Sequence, residues 1–355
     1  MSNDFLKTMK DVVNSDYASL ADEGVVGEVS KFIDMGSYAL NALVSGSIYG
    51  GFPANKIIML AGEPAVGKTF FALAMVADFM RKNPDGQVVM FESEGAITND
   101  TFSSRGIDRS RVLVVPVVTV QEFRTAALRV LQAYEGLKKR PPLLMVLDSL
   151  GMLSTSKEIA DAAEGKDTRD MTRAQLIRGA FRVLSLKMGV LNVPLIVTNH
   201  VSEVIGAYVP TKTTTGGMGA NYGASTVVML TKSRDKDGTA IIGNIIKVTL
   251  AKSRFTREGL RVETKLSYED GLLPYHGLLE MAVEAGVWKK EGSYVLVDGK
   301  KMFPSQIYKN PEPYFTTEVM DGIDAYTRSH YMFGMDKRVN QVELDEEESH
   351  GTATA

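Results

Sequence analysis

Cysteine is absent from the 355-residue chain, which excludes disulfides and thiolate-held metal centres and suits a reducing compartment. Histidine is scarce: His200, His276, His330 and His350 stand far apart, and no pair has the local spacing of a zinc site. Long apolar runs are missing too. The longest, around Ile57–Ala61 and Leu143–Leu147, have the length of buried strands, not of membrane spans. The first ten residues are mixed polar with acidic Asp4, unlike a secretory signal. These absences lead us to expect a cytoplasmic protein with no membrane partner. A basic surplus is lacking as well, since the net charge is -3; any nucleic-acid contact must then come from a local basic surface. Much of the negative charge sits in Glu343, Asp345, Glu346, Glu347 and Glu348, expected to form a disordered acidic tail beyond a body close to neutral.

What is present is an ordinary globular composition, 44% hydrophobic and 23% charged, on a chain long enough for one large α/β domain with smaller attachments. A short helix is predicted over Phe5–Val13, then a linker. Apolar runs predict strands at Ile57–Ala61, Val88–Phe91, Val112–Val115, Pro142–Leu147 and Pro194–Thr198. Helical periodicity fills the gaps at Phe70–Arg81, Gln121–Tyr134 and Met171–Met188. Alternation of this kind indicates a mainly parallel, doubly wound sheet. After about residue 225 the pattern changes to strands at Val227–Thr231, Ile245–Ala251 and Val262–Ser267, with an Asp237-Gly238 turn, which predicts an antiparallel extension. One helix (Leu278–Ala285) and a hairpin around Tyr294–Val297 make a small C-terminal α+β region. The expected division is an N-terminal segment 1–30, a core 31–275, a C-terminal region 276–335 and the tail 336–355.

Gly62-Glu63-Pro64-Ala65-Val66-Gly67-Lys68-Thr69 matches the phosphate-loop pattern in full, between a predicted strand and a predicted helix. Its glycines let backbone N–H groups close on phosphates at the positive end of the helix. Lys68 is suited to the β- and γ-phosphates of ATP and the Thr69 hydroxyl to Mg²⁺. Asp148 ends the strand Leu143–Leu147, where ligands meet open α/β sheets, and is the natural carboxylate partner of Mg²⁺; alone, such an Asp is usually a helix cap. Glu92 and Glu94 close the second strand, and either is a candidate general base; alternation puts both on one face and does not choose. Asn199-His200 follows the fifth strand and is a candidate γ-phosphate sensor, against the commoner structural role of a lone histidine.

Two long polar segments leave the same edge of the sheet. Thr155–Asp170 mixes charges of both signs, and Ser202–Ala220 contains Thr213-Thr-Thr-Gly-Gly-Met-Gly219. Segments this long are usually functional or disordered, and Gly-rich backbone can contact phosphates. Arg169, Arg173, Arg178 and Arg182 add cations on or near one helix; a lid with a solvated helical face is the blander alternative. Lys252 and Arg254 end a strand. They are either protective charges on an edge or a cation pair offered to a neighbour's γ-phosphate.

The ordered series Gly62–Thr69, Glu92-Ser93-Glu94, Leu147-Asp148-Ser149, Asn199-His200, Thr215-Gly216-Gly217 and Lys252-Ser253-Arg254 resembles RecA-family recombinases, and among them the phage UvsX recombinases. The likeness runs from about residue 30 to 290. It implies a RecA-like ATPase core and ATP-dependent homologous pairing and strand exchange by a helical filament on single-stranded DNA. The expected partners are that strand, homologous duplex DNA, further copies of the chain, and single-strand-binding and mediator proteins. If phage-encoded, the protein works in the host cytoplasm.

Residue by residue, the resemblance makes Lys68 and Thr69 the phosphate and Mg²⁺ ligands, Asp148 the Walker B acid, and Glu94 the catalytic glutamate. His200 stands where RecA has glutamine and UvsX histidine. Lys252 and Arg254 match the cross-subunit cations, with Arg169, Arg173, Arg178 and Thr215, Gly216, Gly217, Met218 and Gly219 in or beside the DNA-binding loops 155–170 and 201–220. Thr101 stands where the family has an adenine-stacking aromatic, with Phe102 one place on. A RecA-fold hexameric helicase and a nucleotide-switched mediator without strand exchange are the alternatives. Only about thirty residues precede the core here, whereas a replicative helicase usually carries a substantial N-terminal domain.

Overall fold

The computed structural model describes residues 2–13, 15, 18–25, 27–29, 31–166, 170–203, 212–214, 221 and 223–333. In chain order, helix α1 (Ser2–Val13), strand β1 (Phe32–Ile33), α2 (Tyr38–Ser45), β2 (Phe52–Pro53) and β3 (Ile57–Gly62) lead to α3 (Lys68–Lys82). Then come β4 (Gln87–Glu92), α4 (Asn99–Ser103), β5 (Val112–Pro116), α5 (Val120–Glu135) and β6 (Leu143–Asp148). They are followed by α6 (Ser156–Ala163), α7 (Arg173–Leu191), β7 (Leu195–Glu203) and β8 (Lys212–Thr214). Next are β9 (Thr226–Asp237), β10 (Ala240–Lys252), β11 (Arg261–Ser267), β12 (Gly271–Leu273) and α8 (Leu278–Glu284). The chain closes with β13 (Lys289–Glu291), β14 (Tyr294–Val297), β15 (Lys300–Met302), α9 (Pro304–Lys309) and α10 (Thr317–Tyr331). The α/β class is as expected.

The chain folds as two compact units, one of Met1–Phe32, Pro53–Met59 and Phe79–Ser225, the other of Ile33–Phe52, Leu60–Asp78 and Thr226–Ala355. In the first, strands run in the order β3-β7-β6-β4-β5. Parallel registers pair Glu92 with Asp148 and Leu147 with Val197, so β4 and β6 end at one level, while β7 runs on to Glu203 and holds Asn199 and His200 within the strand, not after it as the apolar run implied. Every residue of β6 is buried, which explains its unbroken apolar run: a parallel strand covered on both faces has no polar side. Helix α5 starts at a capping box in which the Thr119 hydroxyl accepts from the Glu122 N–H and the Glu122 carboxylate accepts from the Thr119 N–H. It packs against α7 and sets Phe123 edge-on to Phe91 at 5.2 Å. The polar segment Thr155–Asp170 carries more structure than its composition suggests. It holds helix α6, and its ends are tied by the Thr155 hydroxyl donating to Asp170 at 2.8 Å. Hydrogen bonds from the Thr172 backbone and hydroxyl, and from Thr155, hold the Asp170 carboxyl below the usual carboxylate range.

In the second unit β9, β10 and β11 form consecutive antiparallel pairs, as predicted, and a short β12 that the sequence reading missed pairs with β11. The β9–β10 hairpin is longer than the apolar runs imply, because the distal part of β9 is a charged strand (Lys232, Arg234, Asp235, Lys236) that still pairs with β10. Sequence periodicity missed the terminal helix α10, whose apolar positions are interrupted by Asp321, Asp324 and Arg328. Those charges are its anchor. Asp324 is buried and accepts from the Ser47 hydroxyl (2.6 Å), the Ile48 N–H (2.9 Å) and Arg328 Nε (2.6 Å). The helix is thereby pinned over α2, and the chain beyond it pairs Met332 with Thr256. A small sheet β13-β14-β15 enlarges the predicted hairpin by one strand.

Replacing Asp324 with Ala would leave a buried hydroxyl, an amide N–H and a guanidinium without their acceptor. An expected loss of about 2–3 kcal/mol follows. Urea unfolding checks it, and an unchanged midpoint would contradict the anchor.

Candidate active site

The glycine-turned loop belongs to the second unit. Gly62, the last residue of β3, is buried, and a Cβ there would fall 2.8 Å from the carbonyl oxygen of Leu230. Gly67 adopts φ +104, a left-handed conformation that a side chain would strain. Between them the loop turns sharply into α3, whose first residue is Lys68, two residues earlier than periodicity predicts. Lys68 is only 7% exposed, and its ammonium donates to the carbonyl oxygens of Gly62 (3.0 Å) and Glu63 (2.9 Å). A buried cation above a glycine-turned loop at a helix start fits a phosphate. Glu63, Pro64 and Ala65 are exposed along the loop, and Val66 packs inward. Lys232 on β9, which sequence reasoning did not single out, donates its ammonium to the Ala65 carbonyl oxygen. No sequence pattern marks it, because it is one lysine among several on a charged ribbon.

The same unit holds Lys252 and Arg254. Lys252 is the last residue of β10, part-buried, and Arg254 is exposed in the turn that follows. Ser253 is buried between them, its hydroxyl oxygen accepting the N–H groups of Phe255 and Thr256 at 3.0 Å each. Burial, reinforced by the nearby Arg254 charge, pulls the Lys252 ammonium below the ordinary lysine range. The turn is braced from below by the Thr256 hydroxyl, which donates to the Leu43 carbonyl at 2.8 Å.

In the first unit the ends of β4 and β6 and the middle of β7 bring together Glu94, Asp148, Ser149 and His200. Asp148 is 5% exposed, and one carboxylate oxygen accepts the Thr198 hydroxyl from neighbouring β7. The loop after β4 is laced to the end of β6: the Ser93 N–H donates to the Asp148 carbonyl at 2.9 Å, and the Ser149 N–H donates to Ser93 Oγ at 2.8 Å. This lacing carries Glu94 past the strand end. Glu94 Oε1 accepts the Ser149 hydroxyl at 2.6 Å and lies 3.2 Å from His200 Nε2. Glu92 points elsewhere. Its Oε1 accepts the N–H groups of Glu94 and Ala96 at 3.0 Å each, and so shapes the loop. The two glutamates that strand alternation left equivalent are therefore distinct, because β4 ends at Glu92 and the alternation stops there.

Thr69 in the second unit and Asp148 in the first each carry a hard oxygen of the kind Mg²⁺ takes. Among the described residues there is no cluster of three or more His, Asp or Glu that would hold a metal unaided. Thr101 and Phe102 lie on α4. The Thr101 hydroxyl accepts the Thr98 N–H at 3.1 Å, and Phe102 is 5% exposed, so it presents no open ring face. Arg173 is committed to positioning, for its guanidinium donates to the carbonyls of Leu153 (2.9 Å), Gly151 (3.0 Å) and Leu150 (3.3 Å). Arg178 and Arg182 lie on the exposed side of α7. Arg169, Thr215, Gly216, Gly217, Met218 and Gly219 lie outside the described residues.

Comparison with known proteins agrees with this arrangement. The family model described as the RecA N-terminal domain matches residues 16–273. The "Recombination and repair protein" of Enterobacteria phage T4 is 35% identical over 257 residues, 72% of this chain but less than two-thirds (64%) of that relative. The protein RecA of Desulforapulum autotrophicum is 28% identical over 300 residues, 83% of this chain and 82% of its own length. That of Nocardioides sp. is 27% identical over 275 residues, covering 77% and 75% of the respective chains. With a family model spanning the phosphate loop, both carboxylate-bearing strand ends and the antiparallel extension, this chain belongs to the RecA family.

Proposed function

We propose that the protein is a DNA-dependent ATPase that pairs homologous DNA and exchanges strands as a filament of identical subunits on single-stranded DNA. The observation that carries this reading is the joining of Glu94 and His200 at the end of the parallel strands, beside the buried Asp148. A general base and a polar switch residue in hydrogen-bond reach are what a ligand-gated hydrolase needs.

In this reading Lys68 and the N–H groups of Gly62–Thr69 hold the β- and γ-phosphates. Thr69 and Asp148 would hold Mg²⁺, which when bound would supply charge neutralisation at the transferring phosphoryl group. Glu94 takes a proton from water as the water oxygen bonds to the γ-phosphorus and the bond to the β,γ-bridging oxygen breaks, giving ADP and phosphate. Lys252 and Arg254 stabilise that charge in the neighbouring subunit. The depressed proton affinity of Lys252 supports such a role, since its ammonium is poorly solvated and gains from an anion.

Subunit docking is assigned to α1. Its Phe5, Met9 and Val12 form a stripe at helical spacing and are 63%, 39% and 72% exposed, an apolar face suited to a second copy of the chain. DNA contact is assigned to the segments 155–170 and 201–220, aided by Arg178, with homology tested by base pairing and little sequence preference from protein side chains. Arg173 supports that region by fixing the turn at Leu150–Leu153. The adenine contact is assigned to the Thr101–Phe102 neighbourhood. The carboxyl-terminal region 276–335 and the N-terminal segment 1–30 are appendages of the core 31–275.

Lys68→Ala is expected to keep the fold by circular dichroism and to lose ATP-dependent filaments in electron micrographs; filaments at wild-type abundance would refute the phosphate site. Lys252→Ala is expected to retain nucleotide binding but lose DNA-stimulated hydrolysis by about 10²-fold or more. Mixing it with Lys68→Ala should restore part of the rate, since each mutant supplies what its neighbour lacks, and no recovery at any ratio would contradict a cross-subunit role. In Gly151→Ala a Cβ would lie 2.6 Å from His200 Cδ2. The displaced ring is expected to cost DNA stimulation of ATP turnover at unchanged nucleotide affinity, and full stimulation would refute the switch role of His200.

A further inference from the structure

Ser149 has no role in the scheme above, yet its backbone and its hydroxyl are both held beside Glu94. Its side chain is fully buried at 0% exposure. Its backbone is fixed from both sides by Ser93: the Ser149 N–H donates to Ser93 Oγ at 2.8 Å, and that hydroxyl donates to the Ser149 carbonyl at 2.8 Å. Its own hydroxyl donates to Glu94 Oε1 at 2.6 Å, a short bond of the charge-assisted kind. His200 Nε2 lies 3.2 Å from the same carboxylate oxygen and 3.4 Å from Ser149 Oγ. Since the serine proton goes to Glu94, the imidazole completes the triangle by donating its Nε2–H to Oε1.

Two donors on one carboxylate oxygen occupy the lone pairs that would receive a proton from water, and they hold the side chain in one orientation beside the end of β6. We propose that Ser149 is a positioning residue that restrains Glu94 in the resting protein, a latch that keeps the hydrolytic base idle until His200 and Glu94 are drawn apart from it. This rests on Glu94 being the base. A hydrolase gated by DNA must hold ATP without consuming it, and the latch accomplishes this by fixing the orientation of Glu94.

The test uses the full chain and steady-state ATP hydrolysis without DNA. Ser149→Ala removes the donor and is expected to raise DNA-independent kcat by about 3- to 10-fold, from the usual strength of a hydrogen bond to a charged group. KM for ATP should stay within about twofold of wild type, because the residue does not bind nucleotide. Ser149→Thr keeps a hydroxyl and should return the rate toward the wild-type value. A merely structural serine would give the opposite sign, with basal and DNA-stimulated rates falling together, and that result overturns the latch. So does an unchanged basal rate in a folded Ser149→Ala protein. If the alanine variant does not fold, Ser149→Cys, a near-isostere with a weak donor, carries the same expectation and the same refutation. Glu94→Gln separates the two assignments. Retained hydrolysis there removes the base and the latch together. Lost hydrolysis beside an unresponsive Ser149→Ala removes the latch alone.

Discussion

Parallel pairing in level register is the constraint on which the rest depends. Once Glu92 is paired with Asp148 and Leu147 with Val197, the chain leaving β4 and β6 must do so at one height, next to the part of β7 that carries Thr198 and His200. Each exit then carries a polar residue, and a buried one must find a partner nearby. Asp148 takes the Thr198 hydroxyl, Ser149 takes Ser93 and Glu94, and Glu94 takes His200. The cluster is thus a direct result of strand register: a one-residue slip would reverse every side chain at this edge and dissolve it.

The second unit holds two of the candidate cations in buried or part-buried positions. Lys68 donates to the loop carbonyl oxygens of Gly62 and Glu63. Lys252 is set into a braced turn next to Arg254, where desolvation and a like charge both disfavour its protonated form. Groups held this way respond strongly to an arriving anion.

Much of this was legible in the sequence, for identifiable reasons. Buried parallel strands announce themselves as unbroken apolar runs, and the phosphate loop needs its glycines at fixed offsets, so Ile57–Thr69 and Leu143–Asp148 were readable directly. The RecA resemblance was legible from the order of short motifs and is matched by the family model over residues 16–273. Other features were not. Helix α10 was hidden because its anchor, Asp324 with Arg328, interrupts the apolar pattern that periodicity relies on. Helix α6 sits in a segment of mixed charge whose stabilisation is a capping box and the Thr155–Asp170 tie, neither of which is apolar. The distinction between Glu92 and Glu94 depends on where β4 ends, and strand boundaries are set by tertiary hydrogen bonds such as that from Ser93 to Asp148. Ser149 was visible beside Asp148, yet nothing in one dimension says that its hydroxyl faces Glu94.

The measurement that bears most directly on the account is a joint-molecule assay with circular single-stranded DNA and linear duplex, run with ATP and Mg²⁺. Homologous duplex should yield joint molecules that mature to nicked circles, and heterologous duplex should yield none. Failure to form joint molecules under conditions where the protein coats the single strand and hydrolyses ATP would contradict the recombinase reading and leave a nucleotide-gated DNA-binding ATPase in its place.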